Sequence, residues 1–218
     1  MRKLSIILLV FLVSCSPKLS TLTGDRVLTN STSANIYVFG KNQDLLNDYE
    51  LIGTIKMQGN LFTSKYRTDQ SINLLKKGAN YLGGNAIKII NIQFPKGPFY
   101  SQSYDIEADV FKITQIPDSI FEFATDTTKK EGIVINLYRP NKVFGSAVSY
   151  PVYINNYYVG GLENKEKMIL ILKDKSKKYF LELESYNELY KIPIIFRENV
   201  INIRCTVGMN AIPKIQIE

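Results

Sequence analysis

From residue 132 to residue 218 no stretch repeats its apolar residues at helical spacing. Short apolar runs at 133–138, 148–154, 157–162, 168–172, 179–183, 190–196, 200–207 and 212–217 are separated by polar turn residues. Runs this short satisfy their backbone groups by pairing with neighbours. The regular spacing predicts about eight strands in an antiparallel β-sandwich. Asn155-Asn156, two polar residues between apolar runs, predicts a tight hairpin.

The preceding region, 34–113, reads differently. Residues 35–39 and 50–57 have strand character. Ile72, Leu75, Ala79 and Leu82 then fall on one face of a helix. Thr68 or Asp69 is the candidate N-cap, Lys76 and Lys77 are expected to point outward, and Gly83-Gly84 is the stop signal. Strands at 86–92 and 103–111 follow, so the order is ββαββ and the fold class is α+β. In the last strand Asp105, Glu107 and Asp109 alternate with apolar residues and share a sheet face, expected to be solvated. Residues 114–131 contain Pro117 and a polar run and read as a linker, with Ile120, Phe121 and Phe123 expected to dock on a neighbouring domain.

The amino terminus carries an address. Arg2 and Lys3 precede an apolar run at 4–13, too short to span a bilayer core of about 20 helical residues, as in a secretory signal. The next residues, Leu12-Val13-Ser14-Cys15, resemble the lipobox of bacterial lipoproteins. That resemblance implies removal of residues 1–14 and lipidation of Cys15. Ser16, in the position where an aspartate resembles an inner-membrane retention signal, favours the outer membrane of a diderm envelope. Residues 15–33, rich in Ser and Thr, read as a lipidated flexible tether.

Two further resemblances concern the folded regions. The run "LKKGANYLGGNAIKIINI" followed by "YDIEADVF" resembles the small domains of the YbjQ type and of the Rcs stress-sensor lipoprotein. Tyr138, Arg139, Pro140, Ile154, Asn155, Val159, Gly160 and Leu162 match the pattern of a Tyr-Arg-Pro sandwich domain of bacterial lipoproteins. This second resemblance implies a transthyretin-like or carboxypeptidase-regulatory-like sandwich at 132–218 and supplies no catalytic residues.

The chain has no histidine, which removes Ser-His-Asp and Cys-His nucleophilic sites and the common His-containing zinc sets. No P-loop or dinucleotide-binding glycine pattern occurs, and no cofactor, metal site or catalytic residue is expected. With Cys15 lipidated, Cys205 has no intrachain partner and reads as a buried structural thiol. The formal net charge is +7, but an exported, lipidated chain is not expected to bind nucleic acid. Lys173, Lys175, Lys177 and Lys178 crowd one turn and are candidates for contact with an anionic membrane surface or glycolipid. Tyr157, Tyr158 and Arg139 are candidates for a ligand surface.

Two function classes follow. The first is a non-enzymatic, membrane-anchored envelope lipoprotein that meets another envelope protein or an anionic glycolipid. The second is a carboxylate- or Ser/Lys-dependent hydrolase, or a glycan-binding protein, of the same compartment.

Overall fold

The computed structural model describes residues 18–23, 36–45, 48–59, 68–94, 105–125, 132–143, 148–186, 188–196, 198–208 and 211–218. Strands dominate, and one helix is present among these residues. The expected signal segment at 1–14 and Cys15 lie outside them, as does most of the segment expected to be a tether.

The first sheet contains β1 (Lys18–Thr23), β2 (Tyr37–Phe39), β3 (Tyr49–Gln58), β4 (Ala86–Gln93) and β5 (Asp105–Ile113), in the order β1-β3-β5-β4-β2. Helix α1 (Thr68–Tyr81) connects β3 to β4 across the face of β5. Its stripe behaves as the spacing predicts: Ile72, Leu75, Ala79 and Leu82 are buried against Ile55, Met57, Ile87, Ile89, Ile106, Ala108 and Val110. Each such aliphatic side chain contributes roughly 1.5–3 kcal/mol by leaving water. The helix ends at Gly83, whose φ of +85° only glycine adopts without strain, and the Gly84 amide closes back on the Ala79 carbonyl at 2.9 Å. Asp105, Glu107 and Asp109 lie on the face away from the helix. There Asp109 accepts from the Thr54 hydroxyl at 2.7 Å, and Lys56 and Lys88 are their cross-strand neighbours.

One correction concerns the tether. Residues 18–23 are not free chain but the edge strand β1, paired antiparallel with β3 from Lys18↔Gln58 to Thr23↔Thr54. Leu19 points to the helix side, where Gly78 has no side chain to block it. Ser and Thr lower hydrophobicity and so resemble linker composition. Thr also suits a pleated surface, and an available sheet edge decides between the two.

The second region is a sandwich of two open sheets. One has the order β14-β13-β7-β10-β6, built from β6 (Phe121–Phe123), β7 (Ile133–Tyr138), β10 (Lys167–Leu172), β13 (Val200–Val207) and β14 (Pro213–Ile217). The other has the order β12-β11-β8-β9, from β8 (Tyr150–Ile154), β9 (Tyr157–Leu162), β11 (Tyr179–Ser185) and β12 (Glu188–Ile194). The shared core includes Ile135, Leu137, Tyr150, Val152, Leu170, Leu181, Leu183, Ile203 and Cys205. The eight expected strands are present, with two departures. The sandwich is not wholly antiparallel, because β13 runs parallel to β7. The linker is not wholly a linker, because Phe121–Phe123 pairs with β10 as a ninth strand. The Asn155-Asn156 hairpin forms as expected, with φ of +49° and +69°, values Asn tolerates better than most residues. The Asn155 side chain also clips the Phe180 amide and the Lys178 carbonyl, at 2.8 and 2.9 Å.

Strand β8 is buried at every position and β11 at all but one. Their inner residues face the sandwich core. Their outer residues, including Tyr153, Glu182 and Glu184, are also buried, with Gly40 of the first region close against Tyr153 and Lys41 and Asn42 beside the glutamates.

Candidate ligand cleft at the domain junction

The junction is built around the start of α1. Thr68 and Asp69, read from sequence as candidate N-caps, reach across to the sandwich. The Asp69 Oδ1 atom accepts from the Gly161 amide at 2.7 Å and from the Tyr158 hydroxyl at 3.0 Å. The Thr68 hydroxyl donates to Ser149 Oγ at 3.0 Å. Gly161 makes this approach possible, since a Cβ there would lie 2.8 Å from the Thr68 Cβ. Tyr158 packs its ring on the first core and stands edge-on to Tyr153, with centroids 5.7 Å apart. Burial first, and then the Asp69 charge, hold its phenol well above the ordinary value, so it remains a donor.

Beside this contact a cleft of about 490 Å³ opens. Three sheet edges border it: β2 with Tyr37 and Val38, β6 with Phe121 and Phe123, and β9 with Tyr157 to Gly160. Helix α1 contributes Asp69, Ile72, Asn73 and Lys76, and β10 contributes Met168, with Glu166 just before it. Lys76 therefore does not point straight outward. It is half-buried in the cleft wall, and burial lowers its pKa while Asp69 opposes that shift. The cleft thus combines aromatic and aliphatic walls with two carboxylates and one amine, the composition of a small-ligand site.

A second hollow of about 200 Å³ lies over the outer face of β11, between Lys41, Asn42, Tyr153, Asn156, Glu182, Glu184 and Leu189. Glu182 is fully buried, pairs with Lys191 Nζ at 2.7 Å and accepts from the Asn156 amide at 3.1 Å. Glu184 accepts from the Tyr153 hydroxyl at 2.8 Å. Burial raises the Glu184 pKa above 4.5, against the opposing effects of that hydrogen bond and of Lys41. A raised carboxyl contributes stability fully below the unfolded pKa and loses it as pH rises through the folded value. Glu184→Gln, which stays neutral, should therefore gain stability relative to the parent between pH 4.5 and pH 8. Paired urea midpoints at the two pH values check this, and a pH-independent difference would contradict it.

Of the residues singled out from sequence, Tyr157 and Tyr158 both line the cleft. Arg139 does not belong to a ligand surface. It is 2 % exposed, donates to the Val148 and Leu162 carbonyls and lies over the Tyr150 ring at 5.3 Å. The pleat turns it inward, where it holds the ends of β8 and β9. The lysines share one turn without converging. Lys173 pairs with Glu122 at 3.1 Å, Lys177 with Asp174 at 3.6 Å, and Lys175 donates to Asn199 at 3.1 Å. Cys205 is buried with no exposure, and burial pushes its thiol up to about 12. It should resist thiol reagents in the native protein and react at once in denaturant. Stoichiometric labelling of a Cys15→Ala variant without denaturant would overturn that expectation.

No local pattern in the sequence marks Tyr37, Asp69, Lys76, Glu166, Glu182 or Glu184 as a site residue. For Phe121 and Phe123 the one usable signal is Phe121-Glu122-Phe123, an alternating aromatic triplet inside polar sequence. Comparison of the chain with protein-family models, with curated proteins and with solved structures finds no match in any of the three.

Proposed function

We propose that this chain is a lipid-anchored protein of the bacterial cell envelope, with a non-enzymatic binding module as its folded part. The address rests on the lipobox resemblance at Leu12-Val13-Ser14-Cys15 and on the basic and apolar segments before it. The binding role rests on one observation: the junction cleft, where the rings of Tyr37, Phe121, Phe123 and Tyr157 surround about 490 Å³. Phe123, 61 % exposed among the lining residues, is open to an incoming partner. Partner recognition at such sites concentrates in aromatic anchors of this kind. The sandwich is read as transthyretin-like, and the first domain, with β1 added at its sheet edge, as the ββαββ type of the envelope stress sensors.

Anchoring is tested by Cys15→Ala, which should leave the precursor unprocessed and without incorporated fatty acid. Binding is tested with a photo-crosslinking amino acid at Phe123 in intact cells, with Val143, 95 % exposed and not part of the cleft lining, as the control. Defined adducts from position 123 alone support the reading. Identical patterns from both positions, or none from either, defeat it.

A further inference from the structure

Resting on the proposed anchoring, we infer that the first domain is seated against the bilayer that carries Cys15, with one end of its sheet at the lipid headgroups. The reason is chain length. Strand β1 begins at Lys18, so Ser16 and Pro17 alone separate it from Cys15. Three residue steps reach at most about 11 Å. The acyl chains of an anchored Cys15 hold its backbone at headgroup level, a layer about 5–7 Å deep on each side of the hydrocarbon. Lys18 therefore lies in or just above that layer.

The register of β1 carries this constraint into the whole sheet. Lys18 pairs with Gln58, Met57 with Ile106, and Gln93 with Asp105, so the starts of β1 and β5 and the ends of β3 and β4 share one end of the sheet. That end faces the membrane. The other end, with Glu50 opposite Lys112 and with Ala86 opposite Phe111, faces away. Lifting the domain off the surface would require unzipping β1 from β3. Leu19, 44 % exposed and one residue from the membrane-facing end of this outer strand, is then beside the headgroup layer rather than in bulk water.

The test uses the full lipidated protein in phosphatidylethanolamine/phosphatidylglycerol vesicles. A fluorophore is placed at Gln58→Cys or Lys112→Cys, both exposed sites, and the lipids carry a headgroup quencher. The two positions are separated by seven residues of strand, about 23 Å. Position 58 should be quenched severalfold more strongly than position 112. A 20-residue Gly/Ser spacer inserted between Pro17 and Lys18 should remove most of that difference. Equal, weak quenching at both positions of a protein whose Cys15 is lipidated by mass spectrometry overturns the seating and leaves the anchoring intact. An unmodified Cys15 overturns both.

Discussion

Arg139→Ala should lose about 3–5 kcal/mol of stability, an effect at the upper end for a single substitution. The guanidinium is buried and donates to the carbonyls of Val148 and Leu162, one at the entrance to β8 and one at the end of β9. Hydrogen bonds from a charged donor contribute about 1.5–3 kcal/mol each, and their loss strands buried acceptors. The Tyr150 ring also loses its cation. A drop in Tm on the order of 10 °C is expected for a chain of this size. Arg139→Lys should recover less than half, since an ammonium cannot reproduce the planar fork. A shift of only 1–2 °C for Arg139→Ala would refute the structural role and make Arg139 a ligand candidate again.

Gly161→Val should separate the two domains while leaving each folded. A Cβ at Gly161 would lie 2.8 Å from the Thr68 Cβ and 3.1 Å from Ser149 Oγ, so the helix start must move away from β9. Overpacking of this kind costs about 1–3 kcal/mol. The hydrogen bonds of Asp69 to the Gly161 amide and the Tyr158 hydroxyl would go with it. The expected result is a larger radius of gyration by small-angle scattering, faster proteolysis between residues 114 and 131, and loss of crosslinking from position 123. Unchanged scattering and unchanged protease resistance would show that the junction does not depend on this contact.

Much of the fold was legible because it follows local periodicity. The stripe of Ile72, Leu75, Ala79 and Leu82 specified α1, and Gly83 specified its end. The apolar runs after residue 132 specified strands, and Asn155-Asn156 specified a hairpin. Composition misled where a segment's state depends on a distant neighbour. Lys18–Thr23 and Phe121–Phe123 are both short polar-flanked strands that exist because β3 and β10 offer them an edge. The parallel pairing of β7 with β13 was equally hidden, since strand direction within a sheet leaves no mark on alternation.

The candidate site was legible only in Tyr157 and Tyr158, two of the groups that line the cleft. Asp69 carried a strong local signal, that of a helix cap, and the tertiary contact with β9 took its carboxylate for another purpose. Glu182 and Glu184 alternate with leucines as any half-exposed strand would. They are buried beneath Lys191, Asn156 and Tyr153 of neighbouring strands and turns, beside a hollow that Lys41 and Asn42 of the first domain border. What the sequence by itself determined is therefore the helix and most of the strands, with an address at Cys15 as an expectation, since periodicity and turn chemistry act within a few residues. Only the tertiary structure decided which edges were filled, which charges were buried and where three sheet edges met to form a cleft. Those outcomes depend on contacts between residues about 30 to 150 positions apart, through which burial and strand pairing act.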